Sequence, residues 1–174
     1  MADFKVIVVG GGLAGLLLAN GLSAAEINVE VYERMRDDVK RDGYQIRIAQ
    51  PSFTSFEKLL SQEQNRRIRS KMGVYQDNQR TTPIWYDHQL NPLFDMGRFD
   101  SQYHGSAPMD RVILRDIMLE EPAARGLVKT GKGFSSYKIL NPGEEKESVR
   151  VHFDDGTSAD CDLLIGADGS HSKV

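Results

Sequence analysis

The chain is poor in the residues that carry most metal and disulfide chemistry. Cys161 is its only cysteine, which excludes an intramolecular disulfide and a cysteine-rich metal centre and favours a reducing, cytoplasmic setting. The four histidines, His88, His104, His152 and His171, are scattered. They form no HExxH and no i, i+4 pair that could hold a metal on one helix face. An excess of one charge is also lacking: 22 basic residues stand against 25 acidic ones, giving a net charge of −3 and a pI near 5.8. That balance leaves no basic footprint for nucleic acid. The densest basic group, Arg66-Arg67-Ile68-Arg69, has acidic neighbours and reads as a solvated helix face. There is no internal repeat or low-complexity tract, and the longest apolar run is too short and too broken by glycine for a membrane span.

What is present is an ordinary globular composition, 40% apolar and 27% charged over 174 residues, enough for one domain with a real core. The run from Val6 to Ala19, preceded by Lys5 and followed by Ser23-Ala24-Ala25, mimics a secretory leader. A buried strand feeding a buried helix explains it better. Phe4 to Val9 is β-branched and apolar on both faces, as expected of a central parallel strand. Leu13 to Ala25 then reads as a helix and Ile27 to Glu33 as a second strand. The βαβ unit so formed carries G-x-G-x-x-G at its first turn and an acid at the end of its second strand.

Each part of that unit has a physical task. Gly10 permits the tight turn, Gly12 lets backbone approach a pyrophosphate, and Gly15 allows close helix–strand packing. The helix start at Leu13 and Ala14 offers unpaired N–H groups and partial positive charge to the same anion. Glu33 can accept hydrogen bonds from both hydroxyls of an adenosine ribose, and it repels a 2′-phosphate, which disfavours tightly bound NADP. Dinucleotide binding follows; FAD and NAD remain open at this point.

Further along, Gly43 to Ile48 alternates like a strand and Ser52 to about Met72 reads as one helix. Ile84 to Tyr86 and Leu93 to Met96 suggest a hairpin, and Gly97 to Pro108 a loop. Met109 to Glu121 is an amphipathic helix that Pro122 is expected to end. Strands at Phe134 to Leu140, Val149 to Phe153 and Ala159 to Cys161 are joined by Asn141-Pro142-Gly143 and Asp154-Asp155-Gly156, the spacing of an antiparallel meander. Leu163 to Gly166 returns to a buried apolar strand. Gly126 to Gly133 nearly matches a P-loop, but Gly133 replaces the hydroxyl that would hold Mg²⁺ and no long helix follows.

Three stretches together resemble the FAD-dependent aromatic hydroxylases, single-component flavoprotein monooxygenases of the para-hydroxybenzoate hydroxylase type. They are the glycine unit ending in Tyr32-Glu33-Arg34, the stretch Asp110-Arg111-Val-Ile-Leu114-Arg-Asp-Ile-Met-Leu119 (read on the Met109 helix), which looks like the family's Arg-x-x-Leu-x-x-x-Leu helix, and Asp162-Leu-Leu-Ile-Gly-Ala-Asp168-Gly169-Ser170-His-Ser172. The resemblance implies an α/β fold, a Rossmann-like βαβ parallel sheet with an antiparallel meander. It places the ADP half of FAD on Gly10, Gly12, Leu13, Ala14, Gly15 and Glu33, with Arg34 by the adenine or ribose. It gives Arg111 the pyrophosphate or ribityl region, Arg41 the flavin, and Asp168 and Gly169 both FAD and a transient NAD(P)H.

The resemblance further implies that NAD(P)H reduces the flavin and that one atom of O₂ passes to a small organic substrate. This is the cofactor's chemistry, so no catalytic nucleophile or triad is required, and none is read here. Trp85 is alone, without the W-x-W-x-I-P of the related halogenases. A later Gly-Asp motif, the large substrate sheet and C-terminal helices of such enzymes are missing, so the likeness covers about their first half. Residues 1–174 are expected to form an incomplete FAD-binding domain, with part of 73–108 opening an excursion toward a substrate domain. An exposed sheet edge would invite self-association. The alternatives are an NAD-dependent Rossmann oxidoreductase, which should show further βα units after residue 45, and a truncated, non-catalytic nucleotide-binding or interaction module.

Overall fold

The computed structural model describes residues 4–36, 38–39, 43–73, 84–95, 98 and 106–174. In chain order its elements begin β1 (Lys5–Val9), α1 (Leu13–Ala24), β2 (Asn28–Glu33), β3 (Gln45–Ile48), α2 (Gln50–Leu59), α3 (Gln62–Lys71), β4 (Ile84–Tyr86) and β5 (Pro92–Asp95). They continue with β6 (Ala107–Asp110), α4 (Arg111–Ala124), β7 (Val128–Thr130), β8 (Phe134–Leu140), β9 (Ser148–Phe153), β10 (Ser158–Cys161) and β11 (Leu163–Gly166). Two compact units result: Met1–Arg41 with Arg115–Val174, and Asp42–Leu114.

The first unit is built on a four-stranded parallel sheet in the order β11-β1-β2-β7. Alternation along β1 sends its side chains to both faces. Val6 and Val8 pack with Ala19 of α1 and with Val29 and Val31. Ile7 and Val9 pack with Tyr32, Phe134, Val151, Phe153 and Cys161. The second group includes the antiparallel meander β10-β9-β8, whose inner face also stacks Phe153 on Tyr32 with ring centroids 4.3 Å apart. Burial of each such aliphatic side chain contributes roughly 1.5–3 kcal/mol, so the sheet is held from both sides. This is the α/β architecture with meander expected from the sequence.

Two local features of this unit differ from expectation. Val128 to Thr130, inside the P-loop look-alike, forms the short parallel strand β7 beside β2. Pro122 does not end its helix; α4 continues to Ala124 with Pro122 inside it. Proline has no N–H for the carbonyl of Met118 four residues back. That carbonyl instead accepts a 2.8 Å bond from Nδ2 of the buried Asn20. A side chain of α1 thus replaces the bond that proline removes, and the helix survives.

In the second unit β3 pairs antiparallel with β6 and β4 with β5, the latter being the expected hairpin. The single helix expected from Ser52 to Met72 is two. Leu60 turns to extended backbone (φ −109°, ψ 154°), and Ser61 opens α3 with a capping box: its Oγ accepts from Gln64 N while Gln64 Oε1 accepts from Ser61 N. Two orphan donors are satisfied at the break. Ala107 to Asp110 is a strand, neither loop nor helix start, because Ala107 and Met109 register with Ile48 and Ile46. Asp110 then caps α4, its Oδ1 accepting from Val112 N at 2.8 Å and Ile113 N at 3.0 Å.

Candidate functional site

The turn after β1 is forced by glycine at two positions. Gly10 has φ +110°, and a Cβ there would lie 2.3 Å from the Ala167 carbonyl oxygen just past β11. A Cβ on Gly15 would lie 2.0 Å from the Gly10 carbonyl oxygen. Gly12 is different. It caps α1 at an ordinary φ of −82°, and among the described residues a Cβ there would meet nothing within 4 Å. Sterics within the chain do not demand glycine at this position; open space at a helix start is what a bound anion would use. The first bond of α1 runs from Leu16 N to Gly12 O, so the N–H groups of Leu13, Ala14 and Gly15 have no acceptor within the helix. No acidic residue sits in this first turn.

Beside that turn the carboxylate of Glu33 is buried, at 7% exposure. Oε2 accepts from Gly11 N at 2.7 Å and Oε1 from Met35 N at 2.8 Å. Two backbone donors therefore lock its orientation. A Cβ on Gly11 would approach Glu33 Cβ and Oε2 to 3.0 Å, so Gly11 also matters to this turn, although the sequence reading passed over it.

The reading also passed over Arg115. This arginine is 4% exposed and donates from Nε to the Gly11 carbonyl at 2.8 Å. Its signal in the sequence was a guanidinium next to Leu114 on the apolar face of α4, where a charge needs a partner.

Asp168 and Gly169 lie immediately above Gly10, where a built Cβ would reach the Asp168 amide nitrogen at 2.9 Å. Asp168 closes a local turn, accepting from Ser172 Oγ at 2.6 Å and Lys173 N at 2.8 Å, and Gly169 takes φ +94°. Burial pushes the Asp168 carboxyl up, but these two bonds and the nearby Arg34 guanidinium outweigh it and hold the group below its ordinary value. The first unit thus brings together Gly10, Gly12, Leu13, Ala14, Gly15, Glu33, Arg34, Asp168 and Gly169. Arg111 belongs to the second unit, where its N–H donates to the Tyr44 carbonyl and its guanidinium stands 5.8 Å from the Tyr44 ring centroid. Arg41 lies outside the described residues.

A family model described as an FAD binding domain matches residues 3–174. The chain belongs to this FAD-binding family. Among curated relatives, the FAD-dependent monooxygenase pyr5 of Aspergillus fumigatus is 29% identical over 98% of the chain, and ausM of Penicillium brasilianum 28% over 99%. The chain spans about a third of their length, 34% in each case. A solved structure of Klebsiella pneumoniae HpxO with FAD and uric acid superposes with a TM-score of 0.69 at 27% identity. That match covers 98% of this chain and 40% of the other. The site geometry fits the cofactor of this FAD-binding domain. Its open helix start suits a diphosphate, and its locked buried carboxylate suits a ribose. Among the described residues no helix is long and apolar enough to cross a membrane.

Proposed function

We propose that this FAD-binding domain serves a flavin-dependent monooxygenase that inserts one oxygen atom of O₂ into a small organic, aromatic substrate, with NAD(P)H as reductant. The observation that carries the reading is the joint presence of a glycine turn open at Gly12, the buried Glu33 beside it, and family membership across 3–174. The monooxygenase names of the relatives and the uric acid bound by HpxO support the reaction class. The antiparallel meander β8–β10 lies where an NAD-dependent dehydrogenase would continue with βα units.

When bound, FAD supplies the redox and oxygen chemistry. The chain's own residues bind and orient it. Gly10, Gly12, Leu13, Ala14 and Gly15 cradle the diphosphate with backbone amides, and Glu33 accepts the ribose hydroxyls while Arg34 flanks the adenosine. Asp168 and Gly169 shape the turn beside Gly10. Arg111 and Arg41 serve the ribityl and flavin end. Residues 1–174 act as the FAD-binding domain, with part of 73–108 leading toward a substrate domain; the compactness of Asp42–Leu114 as its own unit supports that division. Self-association runs through an exposed sheet edge.

Titration of the purified chain with FAD tests the reading. Quenched flavin fluorescence and a bound flavin spectrum are expected, and no binding at high FAD concentration would overturn it. Oxygen uptake driven by NADPH or NADH in a longer chain carrying this domain tests the reaction, and sedimentation over a concentration series tests association.

A further inference from the structure

We propose that Arg115 is a positioning residue for the dinucleotide's diphosphate, acting through the peptide that joins Gly11 to Gly12. The inference rests on the FAD reading above and deepens it. Both polar groups of Gly11 are held by buried, oppositely charged side chains: its N–H donates to Glu33 Oε2 at 2.7 Å, and its carbonyl accepts from Arg115 Nε at 2.8 Å. The described peptides are all trans, and in a trans peptide the C=O and the following N–H point in opposite directions. Fixing the Gly11 carbonyl on the buried guanidinium therefore turns the Gly12 N–H away from that guanidinium, on the residue whose built Cβ would meet no atom of the described residues within 4 Å.

Without that anchor a Gly-Gly peptide is free to rotate. The reversed orientation would present a carbonyl oxygen to the anion in place of a donor. Glu33 serves the ribose and Arg115 the diphosphate, so the two tasks are separable by ligand.

The test uses this chain as wild type, Arg115→Met and Arg115→Lys, titrated with FAD by fluorescence and with adenosine, which lacks the diphosphate, by NMR. Arg115→Met should weaken FAD about ten- to a hundredfold, the range for a lost charged hydrogen bond. Adenosine affinity should change less than about twofold, because Glu33 keeps its Met35 N–H. Arg115→Lys should lie between, with a smaller fall in the FAD-to-adenosine ratio. Should Arg115→Met fail to fold, the ratio in Arg115→Lys decides. A parallel loss of both ligands, or an unchanged ratio, overturns the proposal and leaves a purely structural arginine. A wild-type chain that binds adenosine but no FAD overturns the FAD reading itself.

Discussion

Pro122 sits inside α4, and the helix tolerates it because Asn20 takes the orphaned carbonyl of Met118. Asn20→Leu keeps side-chain volume while removing the donor. The Leu16 carbonyl, which also accepts from Asn20 Nδ2, keeps its own helical N–H, so the loss falls on Met118. An unsatisfied buried carbonyl costs about 1–3 kcal/mol. A central value near 2 kcal/mol would lower Tm by about 4–8 °C for a chain of this size. In a Pro122→Ala background residue 122 regains an amide that can fill the Met118 carbonyl through the ordinary helical bond. There the same Asn20→Leu change should cost less than about 1 kcal/mol, a coupling of about 1–2 kcal/mol in a double-mutant cycle. Urea denaturation of the four chains measures it. Equal costs of Asn20→Leu in both backgrounds would show that the asparagine does not compensate the proline.

The two kinds of glycine in the turn should separate under substitution. Gly10→Ala forces a Cβ to 2.3 Å from the Ala167 carbonyl at φ +110°, and loss of the folded state by circular dichroism is expected. Gly12→Ala meets no atom of the described residues within 4 Å and should shift Tm by no more than a few degrees while abolishing measurable FAD binding; retained FAD affinity would refute the anion-site argument. The Asp168 carboxyl, held below its ordinary value of about 3.9, should titrate below that value by NMR. A depressed folded pKa stabilises the turn above the unfolded value, and that support is lost as pH falls through the folded one. The Lys173 amide should lose protection over that acid range, and a titration at or above the ordinary value would contradict the bonding.

The β1-α1-β2 unit was legible because its determinants are local: a strand apolar on both faces, glycines at fixed offsets, and an acid ending the second strand. The meander was legible through turn chemistry, and Gly143 and Gly156 do take φ +79°. Features that continuous apolar spacing masks, or that depend on distant partners, were not. The apolar spacing of Phe53, Phe56, Leu59 and Leu60 runs straight into the break before α3, and only the short-range Ser61–Gln64 capping box marks it. The strand nature of Ala107 to Asp110 comes from pairing with β3. Pro122 reads as a stop until Asn20, 98 residues from the carbonyl it rescues, is in place. At the site, Glu33 stood out by its spacing, whereas Arg115 meets Gly11 across 104 residues and left only the hint of a charge on an apolar face.

The roof over Gly10 has a consequence for how the protein is made. β1 leaves the ribosome long before β11, its neighbour on one side, and the Val9 carbonyl accepts from Ala167 N at 2.7 Å. Pairings this remote in sequence form slowly. The glycines of the diphosphate cradle are therefore synthesised well before the strand that completes it. Cofactor capture becomes a report that strand insertion has finished, and a nascent chain halted before Leu163 would carry every glycine of the turn yet retain no shaped site.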